Sequence, residues 1–286
     1  MMSNKGRKGI CLVIMTVCLC WSGHAGGYVL CPDHILTRML KKTAPSAGVE
    51  VSQKTSLRDF DCGGVAGPEG RITAETLWYA PPGRIRLEAS GPDDRQIYVA
   101  DETGALTIVG QKIVADRPSD LLAYLLPLSF TSRERLIKGL ERYGVDTQVS
   151  SLGRYQREVA FVIGARFPDT SASQLWVDKE TFLPTRLLIR KPGQDRLLET
   201  RYLDWQQVRS LWYPMRVEVY QNGLLSRVVC ADAVSGKSSF PPDFFDITAL
   251  KNEYPQNIPP AADEPEAPRS ETDIQQTIDD FRKLYQ

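Results

Sequence analysis

The sequence predicts a mainly β protein with helices (α+β): an open, strongly curved antiparallel half-barrel of about ten or eleven strands with a helical lid. Three observations predict this fold. Short runs rich in β-branched and aromatic residues, bounded by Pro, Gly and Asp clusters, recur through most of the chain. Two helical patterns interrupt these runs once, near the middle. No regular alternation of strands with helices is visible, so the sheet is expected to be antiparallel.

The N-terminal segment has the pattern of a secretory signal peptide. Three basic residues precede an apolar run from Ile10 to Trp21, and small residues end the segment at Ala25. The run is short for a membrane-spanning helix, and an uncleaved membrane anchor is the alternative. We therefore expect export to the periplasm. The predicted organisation is a signal peptide at 1–25, one domain at 26–250, a Pro-rich linker at 251–270 and a terminal amphipathic helix at 271–286.

Charge and cysteine content limit the function classes. The formal net charge is zero and no run of basic residues follows the signal peptide, which argues against a nucleic-acid-binding protein. Beyond that segment the cysteines are Cys31, Cys62 and Cys230. In an oxidising compartment Cys31 and Cys62 are a candidate disulfide that would tie the first helix to the first hairpin, and three buried thiols are the alternative.

Residues typical of catalytic or metal sites are scarce. Beyond the signal peptide His34 is the one histidine, which is too few for a zinc site or a Ser-His-Asp set. The segment Ala231–Ser238 is similar to a phosphate-binding loop, but Pro241 and Pro242 follow where that loop needs a helix. We therefore expect no enzymatic activity, no cofactor and no metal ion.

The first third of the chain predicts a helix, a strand and then a strand meander. A proline followed by an amphipathic pattern predicts a helix over Asp33–Lys42. Between Glu75 and Ile113, four short apolar runs are separated by turn-forming residues, which is typical of antiparallel hairpins. In Arg84–Ala89 and Gln96–Ala100 apolar residues alternate with polar ones, and Tyr98 falls on the more polar side. One face of this meander is expected to be apolar.

Two helical patterns follow in the middle of the chain. The first is apolar nearly all round and is rich in leucine, so it must be buried or face an apolar ligand. Its proposed lid residues are Leu121, Leu122, Leu125 and Leu126. The second, over Ser132–Tyr143, is amphipathic. These two helices are the predicted lid.

Strand patterns return after the two helices and continue to the linker. Asn222 and Gly223 are typical of a two-residue hairpin turn, and Phe240–Ile247 is expected to close the sheet. The predicted strands are Val145–Ser151, Glu158–Gly164, Gln174–Asp178, Leu183–Lys191, Leu197–Trp205, Tyr213–Gln221 and Leu224–Ala233.

These elements predict a concave apolar face covered by the central helices. Such an arrangement encloses a space that fits an apolar ligand, and a filled core on the same face is the alternative. A shift of one residue in a strand would exchange its two faces, so the assignment of each side chain depends on the register. The candidate cavity residues on the sheet are Trp78, Ile85, Leu87, Ile97, Val99, Leu175, Val177, Leu187, Ile189, Met215, Val217 and Val219.

Two motifs resemble those of a known superfamily. Leu77-Trp78-Tyr79 followed by Pro82-Gly83-Arg84-Ile85-Arg86 resembles the LolA-like periplasmic carriers of outer-membrane lipoproteins. The stretch from Leu175 to Pro184 is similar to the repeated hairpin of the LolA, LolB and RseB-like superfamily, which includes MucB-like sensors. The resemblance covers roughly residues 31 to 248.

The resemblance implies a carrier that shields the acyl chains of lipoproteins, or another lipid, on their way to the outer membrane. It implies a monomer that meets an inner-membrane donor complex and an outer-membrane acceptor, and a sensor that binds a partner protein is the alternative. Such carriers place a basic residue before the strand-ending proline to hold the lid. Here Ala80 precedes Pro81, so Arg84 or Arg86 is the candidate substitute. The terminal helix 271–286 would plug the cavity or dock elsewhere.

Overall fold

The computed structural model describes residues 29–57, 72–90, 95–191 and 196–256. In this part of the chain, 13 strands form one antiparallel sheet, which is open, and four α-helices and one 3-10 helix accompany it. The predicted fold class is confirmed. No helix within these residues is long and apolar enough to cross a membrane.

The elements come in the predicted order, with two differences in the strands: the one predicted over Val145–Ser151 begins only at Ser150, and the short strand Lys112–Ala115 was not predicted. They are α1 (Pro32–Thr43), β1 (Gly48–Leu57), β2 (Ile72–Ala80), β3 (Arg84–Ser90), β4 (Arg95–Ala100), β5 (Ala105–Val109), β6 (Lys112–Ala115), the 3-10 helix (Asp120–Leu125), α2 (Leu126–Ser129), α3 (Arg133–Arg142), β7 (Ser150–Tyr155), β8 (Glu158–Ile163), β9 (Gln174–Asp178), β10 (Pro184–Arg190), β11 (Leu197–Val208), β12 (Leu211–Gln221), β13 (Leu224–Lys237) and α4 (Ile247–Glu253).

The chain builds the sheet as two meanders joined through β1. The strand order is β6-β5-β4-β3-β2-β1-β13-β12-β11-β10-β9-β8-β7. Strand β1 pairs with β2 on one side and with β13, from the far end of the chain, on the other. The central strand of the sheet is therefore β13, with β1 and β12 on its two sides.

Helices of the N-terminal half cover one face of the sheet, which we call the inner face. Its buried cluster combines Val51, Leu77 and Val217 from strands with Leu36 from α1 and Leu136 from α3. The 3-10 helix, α2 and α3 (residues 120–142) correspond to the predicted lid, and we keep that name for them. The sequence did not predict that α1 would join the lid on this face, although its side chains Ile35, Leu36 and Met39 are fully buried.

Helix α4 covers part of the opposite, outer face. Its Ile247 and Leu250 pack with Ile108 and Ile113 of the N-terminal meander. The segment Phe240–Ile247, expected to close the sheet, contains no strand. The chain turns there instead, and the side chain of Asp246 accepts hydrogen bonds from the backbone nitrogens of the first turn of α4, at 2.8 and 3.0 Å. Helix α4 ends at Glu253, inside the segment assigned to the linker.

Candidate functional site

The lid packs deeply into the middle of the inner face. Tyr124 and Leu125 of the 3-10 helix are 1% and 2% exposed, and Leu128 of α2 is 3% exposed. The hydroxyl of Tyr202, on β11, donates a hydrogen bond of 2.9 Å to the backbone oxygen of Tyr124. In this arrangement the centre of the inner face is filled by lid side chains.

A groove of about 520 Å³ remains at one end of the lid, next to the turn between β2 and β3. Strands β3 and β4 form one wall and the lid helices form the other. Its apolar lining comprises Ile85, Tyr98, Leu122, Leu125, Leu126 and Phe130. The groove therefore extends the apolar inner face towards solvent.

Charged side chains form the rim of this groove. Arg135 of α3 donates a hydrogen bond of 2.6 Å to the backbone oxygen of Pro82 and forms an ion pair with Glu102. Burial raises the pKa values of the hydroxyls of Tyr98 and Tyr143, two lining residues, to about 12. Both tyrosines are therefore neutral at physiological pH, and the charges of this site stay on its rim.

A buried polar cluster lies beneath Tyr124, in the middle of the sheet. Glu75 of β2 accepts hydrogen bonds from Gln53 and Thr55 of β1, each at 2.7 Å. The guanidinium of Arg227, on β13, lies 3.2 Å from the carboxylate of Glu75. The side chains of Glu75 and Arg227 are only 7% and 8% exposed. We call Gln53, Thr55, Glu75 and Arg227 the polar cluster.

The lid touches the polar cluster through one residue. The side-chain nitrogen of Gln53 donates a hydrogen bond of 3.4 Å to the hydroxyl of Tyr124. The guanidinium carbon of Arg227 lies 5.5 Å from the centre of the same ring, within the range of a cation–π contact. Burial is the main cause that raises the pKa of Tyr124 above its usual value, so its hydroxyl stays protonated.

Most of the predicted cavity residues lie on the inner face. Nine belong to, or pack against, the buried cluster that the sheet shares with the lid: Ile85, Leu87, Leu175, Val177, Leu187, Ile189, Met215, Val217 and Val219. Of these, Ile85 lines the groove. The side chain of Leu121 lies outside the described residues, whereas Leu122, Leu125 and Leu126 line the groove.

Three predicted cavity residues lie on the outer face, so their assignment is wrong. Trp78 donates a hydrogen bond of 2.8 Å to Glu50 and packs against Phe244. Ile97 and Val99 pack in the outer cluster covered by α4. Both faces of these strands carry apolar residues, so alternation alone could not distinguish them. Tyr98, which the sequence placed on the polar side, points to the lid instead.

The two arginines proposed to hold the lid also lie elsewhere. Arg86 donates a hydrogen bond of 2.7 Å to the backbone oxygen of Phe244. The guanidinium carbon of Arg84 lies over the ring of Phe245, 5.2 Å from the centre of the ring. Both therefore fasten the segment that leads into α4, and this prediction is wrong. Cys31 is exposed, while Cys62, most of the linker and the terminal helix 271–286 lie outside the described residues.

Sequence reasoning missed the polar cluster and part of the groove. The signal for Gln53 and Thr55 was available, because they continue the inward positions of Val49 and Val51 along β1. Arg227 gave no such signal, because its partner Thr55 is 172 residues away in the sequence. In the described part of the chain, no three His, Cys, Asp or Glu side chains are placed to hold a metal ion.

Comparison with known proteins finds solved structures with a similar fold and a very different sequence. No protein-family model and no curated protein sequence matches the chain. A crystal structure of a LolA superfamily protein from Nitrosomonas europaea is 12% identical, covers 77% of this chain and 100% of its own, and has a TM-score of 0.50. A domain from Vibrio parahaemolyticus, described as an outer membrane lipoprotein-sorting protein domain, is 9% identical, covers 76% and 97%, and has a TM-score of 0.50. The chain therefore has the LolA-like fold that its sequence motifs predicted.

Proposed function

We propose that this protein is a periplasmic carrier that binds the acyl chains of lipoproteins, or another lipid, between the lid and the inner face. The observation that carries the proposal is the groove, whose apolar side chains join the buried cluster beneath the lid to solvent and whose rim is charged. Its volume of about 520 Å³ lies within the usual range of ligand sites. An acyl chain would reach the inner face through this groove and displace part of the lid.

The energetics of acyl burial suit such a site. Each buried methylene contributes about 0.8 kcal/mol, so an acyl chain can be held without any covalent step. The lid consists of short elements, since α2 has 4 residues and α3 has 10. Short helices depend on packing for their stability, so a ligand that replaces this packing can move them. The protein would then act as a monomer that takes lipid from an inner-membrane donor and passes it to an outer-membrane acceptor, without enzymatic chemistry.

One observation favours a second candidate function. The lid fills the centre of the inner face, with Tyr124, Leu125 and Leu128 almost fully buried. A filled face serves equally well as a stable scaffold for a module that binds a partner protein. The partner-binding role is therefore the alternative, and a direct lipid-binding measurement separates the two.

The test compares two leucine substitutions of the same kind. Leu122→Trp places a larger ring in the groove, whereas Leu224→Trp alters an exposed leucine, 47% accessible, at the start of β13. We expect a fluorescent fatty acyl probe to bind the unmodified protein and the Leu224→Trp variant alike, and to bind Leu122→Trp at least about tenfold more weakly. Equal binding by both variants, or no binding by any, would contradict a carrier that uses this groove. Mass spectrometry of protein purified from the native periplasm would then identify the bound lipid.

A further inference from the structure

We infer that the polar cluster is a binding site for the polar end of the ligand, and that it selects a neutral end with both a hydrogen-bond acceptor and a donor. The chemical class is an acyl amide or a hydroxyl-bearing acyl ester. The inference rests on the proposed function, because it names a subsite on the face that would hold the acyl chain. It assigns a role to Gln53, Thr55, Glu75 and Arg227 that the apolar groove does not give them.

The position of the cluster suits one end of an extended amphiphile. Along the inner face of β1 the side chains change from Val49 and Val51 to Gln53 and Thr55. On β2 they change in the same direction, from Tyr79 and the fully buried Leu77 to Glu75, since β2 runs antiparallel to β1. The inner face is therefore apolar towards the groove and polar at the far end of the same strands.

The cluster has unused hydrogen-bonding capacity. Within the described residues, neither the Nε of Arg227 nor the Oε1 of Gln53 has a hydrogen-bond partner. Gln53 is 2% exposed and Arg227 is 6% exposed, so both atoms are held away from bulk water. Leaving such groups unpaired destabilises a fold. A ligand that offers an acceptor to Arg227 and a donor to Gln53 would satisfy both atoms at once.

The charges of the cluster favour a neutral ligand. The carboxylate of Glu75 lies 3.2 Å from the guanidinium of Arg227, so the positive charge already has a partner. A fatty acid carboxylate or a phosphate at this position would bring a second negative charge close to Glu75 in a region of low polarity. An amide or hydroxyl ester supplies hydrogen bonds without that repulsion.

Tyr124 occupies the approach to this site when the lid is in place. Its hydroxyl accepts the hydrogen bond from Gln53, and its ring lies beneath the guanidinium of Arg227. The ligand would use the unpaired Oε1 of Gln53 and Nε of Arg227, which belong to the two side chains that Tyr124 contacts. Tyr124 and the ligand therefore compete for the same space, and the lid residue is the internal competitor.

The test uses three probes that share one acyl chain and differ at the polar end. Lauroyl ethanolamide is neutral and carries an acceptor and donors, methyl laurate carries acceptors alone, and laurate is anionic. We expect the unmodified protein to bind the ethanolamide about fivefold or more tightly than either other probe, as one or two additional hydrogen bonds imply. Equal binding of all three would overturn the polar-end site and leave the carrier standing, whereas no binding of any probe would remove the proposed function itself.

Two substitutions of opposite expected effect link the preference to these residues. Gln53→Met keeps the length of the side chain but removes the spare acceptor, together with the nitrogen that donates to Glu75 and Tyr124, and should lower the preference for the ethanolamide over methyl laurate by about fivefold. Tyr124→Phe removes the competing hydroxyl and should raise the affinity for the ethanolamide. Gln148→Met, on an exposed loop, is the matched control. If Gln53→Met fails to fold, Tyr124→Phe alone decides the matter, and an unchanged ethanolamide affinity in that variant would overturn the site.

Discussion

The ion pair between Glu75 and Arg227 should be far more important for stability than its distance alone suggests. The side chains are 7% and 8% exposed, and Glu75 also accepts the hydrogen bonds of Gln53 and Thr55. Glu75→Gln leaves the guanidinium buried without an opposite charge, which costs about 3–5 kcal/mol in comparable cases. Domains of this kind have a total stability of about 5–15 kcal/mol, so the loss is a large fraction.

An exposed ion pair between β1 and β13, close to the polar cluster in the same sheet, provides the control. Lys54 of β1 lies 3.1 Å from Asp232 of β13, and their side chains are 58% and 49% exposed. Asp232→Asn should therefore change the free energy of unfolding by no more than about 1 kcal/mol. Urea titrations followed by circular dichroism give both values from the transition midpoint and its slope.

A double substitution separates the charge from the packing. Glu75→Gln combined with Arg227→Met removes both charges while keeping similar side-chain volumes, and the free energy of unfolding should return most of the way to that of the unmodified protein. The reasoning is refuted if Glu75→Gln is no more destabilising than Asp232→Asn. It is also refuted if the double variant is less stable than Glu75→Gln alone.

Three further predictions concern other parts of the fold. Burial alone would raise the pKa of Glu199, but hydrogen bonds from Arg186 and Arg201 hold this pKa below the usual 4.5. The free energy of unfolding should therefore fall as the pH drops through that lowered pKa. Glu199→Gln should make the urea midpoint depend less on pH over this range. Leu136→Ala, at a fully buried lid position, should cost about 2–5 kcal/mol in urea titrations. Gly164→Ala should lower the melting temperature, because φ is +109° and an added Cβ would lie 2.3 Å from the backbone oxygen of Ser173; an unchanged value would contradict the observed backbone.

The strands could be predicted from the sequence because alternation and turn residues act locally. The two faces of the N-terminal meander could not be distinguished, since the segment that covers its outer face lies near residue 247, far along the chain. Tyr98 is an example, because its apolar ring and polar hydroxyl suit either a solvent-exposed face or the wall of the groove, where it lies. The partnership of Glu75 with Arg227 depends on the pairing of β1 with β13, which no local pattern encodes.

What holds the lid in place follows from where its contacts lie. The ion pairs of Lys191 with Asp120 and of Arg135 with Glu102 involve side chains that are between 26% and 58% exposed, and pairs of this kind contribute little to stability. The strong contacts are the apolar ones around Leu125 and the polar ones at Tyr124, which are buried. A plain hydrocarbon could replace the first set but not the hydrogen bonds that Tyr124 makes with Gln53 and Tyr202. A ligand with an acyl chain and a neutral polar end could replace both, so the composition of the lid contacts matches the composition of the proposed ligand.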